Sequence, residues 1–136
     1  MTIPVALALA ACSDDMSRPL LDVAGDWSFS DTVTASFGTC TAAGTVTFTQ
    51  SGRTLGGVID ATEGTCVWAD GGSDDNSGPV DISGGDVTTT AVTFTAGVCE
   101  FTSTFVTDER IEGQEFCTLS AGSQTFVLSG DFLLVR

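Results

Sequence analysis

Two carboxylic acids in this chain fall where a β-strand would place apolar side chains. Asp31 lies between Phe29 and Val33, and Glu115 shares the parity of Ile111 and Cys117. An inward carboxylate in apolar surroundings is costly unless it is protonated, paired or wet. If both acids point inward, they give a cavity a polar anchor for a ligand's amine or hydroxyl. Buried unpaired acids are rare, so the expectation for such positions is a β-bulge or strand end that releases them to solvent. A glycosidase acid pair would need a cleft between the two carboxyls, and nothing in the sequence locates one.

A second acidic group gathers in the longest irregular stretch, Ala69 to Gly78. Asp70, Asp74, Asp75 and Asn76 are followed by Asp81. Hard oxygen ligands on a Gly-rich loop suit Ca²⁺, but the spacing matches neither an EF-hand nor a repeated calcium β-roll. A solvated polar loop is the better reading, and no metal or other cofactor is expected. Nucleophilic catalysis has little support. The chain has no His, and no Ser sits in a Gly-x-Ser-x-Gly elbow, so an activated Ser–His pair cannot form. The expectation is a non-enzymatic protein.

The cysteines carry different information. Setting Cys12 aside leaves Cys40, Cys66, Cys99 and Cys117, an even set that reads as a disulfide framework in an exported chain. Cys99 and Cys117 are equidistant from Asp108 in the polar run Thr107 to Arg110. Cys40 and Cys66 are equidistant from Arg53 in Ser51-Gly52-Arg53. If each run is a hairpin turn, the flanking cysteines face each other across a strand pair. The expected bonds are Cys40–Cys66 and Cys99–Cys117.

The elements that must position these groups are strands. Trp27, Phe29, Val33, Ala35 and Phe37 share one parity, with serines and threonines on the other. Val46 and Phe48 alternate with threonines, and the same Val-Thr-Phe-Thr string returns at Val92 to Thr95. Cys99, Phe101 and Phe105 share a face, as do Phe126, Leu128, Phe132 and Leu134. Such alternation is the period of half-buried strands. Turn signals divide the runs into eight or nine strands with short connections, so neighbours should pair antiparallel. The fold class is all-β, an antiparallel up-and-down barrel of about eight strands; a two-sheet β-sandwich is the alternative. If the barrel is roomy, Trp27, Phe29, Asp31, Phe101, Phe105 and Glu115 are the candidate ligand contacts. If it is collapsed, the aromatic residues are core.

The N-terminus speaks to location. Ile3 to Ala11 is apolar apart from Pro4, too short to span a bilayer and of the length of a secretory h-region. Leu9-Ala10-Ala11-Cys12 resembles the lipobox of bacterial lipoprotein signals. That resemblance implies a signal peptide over 1–11, cleavage before Cys12 and acylation of Cys12, with 12–21 as a lipidated tether and 22–136 as the barrel domain. No Lys or Arg precedes the h-region, and a start codon placed too far downstream would account for this. The implied home is the bacterial cell envelope, on the periplasmic or surface-exposed face of the outer membrane. The implied partner is the membrane, through the anchor.

Gly25-Asp26-Trp27 opens the first strand and resembles the Gly-x-Trp of lipocalins and other calycins. The resemblance implies that a basic residue from the last strand, here Arg136, packs over Trp27 and closes one end of the barrel. The second lipocalin motif is not intact, since Thr107-Asp108 is present but the chain has no Tyr. Composition narrows the partners further. The formal net charge is −14, and all four basic residues are Arg. That charge repels phosphate backbones, so no nucleic-acid binding is expected. The function expected is a lipid-anchored barrel that binds a small apolar ligand. The alternative is a module that captures a basic protein through its acidic surface.

Overall fold

The computed structural model describes residues 19–136. The expected signal peptide and lipobox, Cys12 and most of the expected tether lie outside the described residues. Nine strands follow in order: β1 (Gly25–Ala35), β2 (Gly38–Ser51), β3 (Thr54–Trp68), β4 (Ser73–Asp75), β5 (Gly78–Val87), β6 (Val92–Ala96), β7 (Cys99–Val106), β8 (Arg110–Ala121) and β9 (Gln124–Val135). Strands adjacent in the sheet pair antiparallel, and β9 pairs back on β1, so the sheet closes. β4 and β5 both run against β3, at Thr65–Val67 and Thr54–Ala61 respectively. They are two pieces of one stave interrupted at Asn76-Ser77. The architecture is a closed eight-stave up-and-down barrel, which removes the exposed edges an open meander would leave. It agrees with the all-β reading and with the barrel that the lipocalin resemblance implies.

The alternation legible in the sequence becomes an inside and an outside. In β1 the Trp27, Phe29 and Val33 side chains are buried while the intervening Ser28, Ser30 and Thr32 are exposed. Outward threonine suits such a pleat because its β-branch restricts χ1 without needing burial.

The end of the barrel that holds Trp27 is filled. Trp27, Phe48, Leu55, Phe94, Phe132 and Leu134 belong to one buried cluster. The segment before β1 runs across this end as a floor. Leu21 donates its N–H to the Thr88 carbonyl at 3.0 Å, and Gln50 accepts from the Val23 N–H at 2.9 Å while donating to the Leu21 carbonyl at 2.8 Å. Leu21 packs on the core, so the folded domain reaches back into what the sequence assigned to the tether. Trp27 donates its indole N–H to the Val23 carbonyl at 2.9 Å. The Arg136 guanidinium lies 4.3 Å from the Trp27 ring centroid and donates to the carbonyls of Asp108, Ala24 and Asp22. The cation over the indole contributes ~0.5–2 kcal/mol, and the guanidinium fork ties both ends of the domain to the β7–β8 turn.

Both expected disulfides are present. Cys40 faces Cys66 across β2 and β3, and Cys99 faces Cys117 across β7 and β8. On the chain-entropy account each closed loop contributes about 3 kcal/mol.

One aromatic residue is not where alternation put it. Phe105 shares the sequence parity of Cys99 and Phe101, yet it is 49 % exposed. The register of β7 on β8 shifts between Ser103 and Phe105. The extra residue, Thr104, is a β-bulge, and beyond it every side chain changes face. Val106 packs on the core instead, and Phe105 leaves the list of ligand contacts.

Candidate functional site

The two halves of the barrel differ in what their inward residues fill. Towards the β1–β2, β3–β4, β6–β7 and β8–β9 turns, several inward positions are small: Ala42, Ala61, Gly78 and Ala96. Here the lumen holds a cavity of about 230 Å³. Phe29, Ile59 and Phe101 are its floor, Val33 and Leu128 stand in its walls, and both disulfides line it. Trp68, Val80 and Val98 stand at its mouth. Val80 has the parity of buried Ile82 but is 41 % exposed, and Val98 is 57 % exposed. Inward-pointing residues that remain wet mark the opening to solvent.

Asp31 and Glu115 both line this cavity. The expectation that a bulge or strand end would release them is overturned. Asp31 sits in unbroken register with Ala42 and Phe132, and Glu115 with Phe101 and Gly130, so neither chain segment slips its parity. Glu115 is only 2 % exposed. β9 separates the staves carrying the two acids, and the residue it sets beside Glu115 is Gly130, which contributes no side chain between them.

The pair is electrostatically unusual. Burial pushes the Glu115 carboxyl up to about 10, and the neighbouring Asp31 carboxylate adds to the effect. Burial also raises Asp31, while the neighbouring Glu115 carboxyl and the Ala42 backbone pull it partly back. At neutral pH Glu115 therefore keeps its proton, and the pair carries at most one negative charge. Glu115 Oε1 has no hydrogen-bond partner. Oε2 lies 3.2 Å from Cys117 Sγ, but a disulfide sulfur has no proton to donate, so this is a packing contact.

No protein cation neutralises the acids among the described residues. Arg53 pairs with Asp86, Arg110 pairs with Glu112, and Arg136 is committed to the floor at the other end. Cys99, Glu115 and Cys117 bring three donor atoms within 4.8 Å of one another, the only such cluster among the described residues. Two of the three are disulfide sulfurs rather than thiolates, so the cluster lacks the ligands a metal would need.

The other sequence candidates fall elsewhere. Trp27 is buried in the filled end and does not reach the cavity. Phe29 and Phe101 do reach it. The acidic loop does not converge on a metal. Asp70 accepts from the Gly72 N–H, Asp75 accepts from the Ser77 N–H, and Asp74 accepts the indole N–H of Trp68 at 2.6 Å. Asp81 lies on β5, paired with Val58. Part of that loop is strand: β4 lays Ser73–Asp75 along Val67–Thr65. Asp74 thereby fixes Trp68, whose ring stacks with Phe37 at 6.2 Å and forms one lip of the mouth. Trp68 is the site residue that sequence reasoning missed as a contact. The extra residue Thr62 in β3 shifts the register between Ala43 and Gly44 and turns the even-numbered residues beyond it inward.

The class these features define is a closed antiparallel barrel with one packed end and one open, acid-bearing cavity. Comparison with known protein families, curated proteins and solved structures gave no match to this chain.

Proposed function

We propose that this protein is a non-catalytic, lipid-anchored envelope barrel that holds a small, largely apolar molecule in its lumen. The observation that carries the reading is the cavity itself. Half of the barrel is filled by large side chains, and the other half, lined by Phe, Val, Leu and Ala, is not. On the scale at which an apolar cavity of about 150 Å³ takes up benzene, this one suits a guest of roughly nine heavy atoms. Anchoring rests on Leu9-Ala10-Ala11-Cys12. The chain enters the domain at the packed floor, beside Trp27 and Arg136. A short tether from an acylated Cys12 would hold that floor towards the membrane and aim the mouth at the aqueous compartment. Such a barrel takes its guest from solution rather than from the bilayer.

The anchor is tested by metabolic labelling with an alkyne fatty acid in a bacterial host. The wild type is expected to take up label and Cys12→Ser to take up none. Equal labelling of both would remove the anchor. The cavity is tested by titrating the purified protein with 2-phenylethanol, phenethylammonium and phenylacetate while following tryptophan emission. At least one probe is expected to change the emission, and Trp68→Phe should abolish the change, because Trp27 is sealed in the filled end. No response to any of the three, with no mass adduct in native mass spectrometry, would sink the reading.

A further inference from the structure

We infer that the lumen selects a guest bearing a single positive charge, an apolar amine of about nine heavy atoms whose ammonium sits between Asp31 and Glu115. The inference rests on the cavity reading above and names the chemical class of its guest.

The wall chemistry points there. Among the residues that line the cavity, Asp31 and Glu115 are the only titratable groups, and both are acids. Glu115 is 2 % exposed, faces the cavity, and has an oxygen without a partner. A buried acceptor with no donor forfeits a hydrogen bond, and a guest that brings an N–H to it recovers that loss. The number of charges is also set. The pair holds at most one negative charge at neutral pH, so one cation balances it and a dication leaves one charge unpaired. A carboxylate guest would place a second anion beside Asp31 and Glu115, with no arginine of the described residues near enough to offset it. The aromatic floor of Phe29 and Phe101 suits the apolar body of such an amine.

The surface charge of −14 attracts cations too, so the test must separate the two fields. At 1 M salt the Debye length falls to about 3 Å, which removes surface attraction but leaves a pair buried in the lumen largely unscreened. At that salt concentration, phenethylammonium is expected to bind the full chain roughly ten- to a hundredfold more tightly than the near-isosteric 2-phenylethanol, and phenylacetate not at all. Asp31→Asn, which removes the charge of the pair, should erase most of the preference while leaving 2-phenylethanol within about twofold, and Glu115→Gln, which keeps the charge on Asp31 and replaces only the proton-bearing partner, should reduce it less. Both substitutions remove an ionisable group of the lumen and keep its shape. Phenethylammonium binding no tighter than 2-phenylethanol in high salt would overturn the inference while leaving the cavity reading standing. Retention of the preference in Asp31→Asn would do the same. Failure of all three probes would instead remove the cavity reading itself.

Discussion

Replacing Glu115 by Gln is expected to flatten the dependence of stability on pH and to leave the protein more stable than wild type above neutrality. The sign follows from where the proton sits. In the unfolded chain Glu115 releases its proton near the ordinary glutamate value of 4.5, whereas in the barrel it keeps that proton up to about 10. Between those limits the folded state binds the extra proton. Unfolding releases it, so raising the pH favours unfolding. The native state is strongest below the unfolded value and weakens through the whole window. The limiting slope is ~1.4 kcal/mol per pH unit, which amounts to ~4 kcal/mol between pH 5 and pH 8. Asp31, also raised by burial, adds to the loss in the same direction over its own narrower range. The amide of the Glu115→Gln variant keeps the shape, cannot ionise, and can donate a hydrogen towards Asp31. Urea unfolding of both proteins at pH 5, 6.5 and 8, with the disulfides intact, measures the effect. Midpoints should diverge as pH rises, with the variant on top. Profiles that run parallel would mean that Glu115 ionises in the folded protein as freely as in the unfolded chain.

The acids also show where sequence reasoning succeeds and where it stops. Parity put Asp31 and Glu115 on the inward face, while the rarity of buried acids argued for their release; parity prevails because Phe29 and Val33 on one side, and Ile111 and Cys117 on the other, are buried by the same alternation. The two disulfides were legible for a related reason. Symmetry about Arg53 and Asp108 finds both pairs because each true turn is centred half a residue away, and the single bulge between turn and cysteines makes up the difference. The same bulges break the alternation that assigns faces. Thr104 and Thr62 each add one residue to a strand, and nothing in Ser103-Thr104-Phe105 or Ala61-Thr62-Glu63 distinguishes them from neighbouring alternations. The first sends Phe105 out, and the second brings Trp68 to the mouth. Whether the barrel was filled or hollow was also hidden. That depends on which residues share a level of the lumen. Ala42, Ala61, Gly78 and Ala96 are separated in sequence and meet only after the strands are staggered into a barrel.

Phe101→Ala is expected to be the most destabilising single truncation of the cavity floor, and Phe105→Ala close to neutral, although the two residues share a parity in the sequence. Phe101 is buried where the filled end meets the cavity. It stacks on Phe94 with centroids 4.5 Å apart and meets Phe132 edge-on at 5.3 Å and Phe29 at 6.3 Å. Phe94 in turn meets Phe48 and Phe132 edge-on, so the loss propagates through the aromatic cluster rather than ending at one contact. Removing a buried Phe forfeits its transfer free energy and leaves a void, ~3–5 kcal/mol together. That is a large part of the ~5–15 kcal/mol that holds a typical domain together. Phe105 projects from the outer face beyond the Thr104 bulge, and its truncation should change stability by less than about 1 kcal/mol. The urea midpoint should fall sharply for the first and barely for the second, with the slope of the transition unchanged in both. The floor role has its own readout. Without Phe101 the cavity continues towards Phe94 and Phe132, so 2-naphthylethanol should gain affinity relative to 2-phenylethanol. Phe101→Leu, which retains most of the volume, should cost less and keep the size preference of the wild type. Equal losses for Phe101→Ala and Phe105→Ala would contradict the bulge. A stable Phe101→Ala variant with unchanged size preference would mean that the packed core begins below the phenylalanine floor assigned to it.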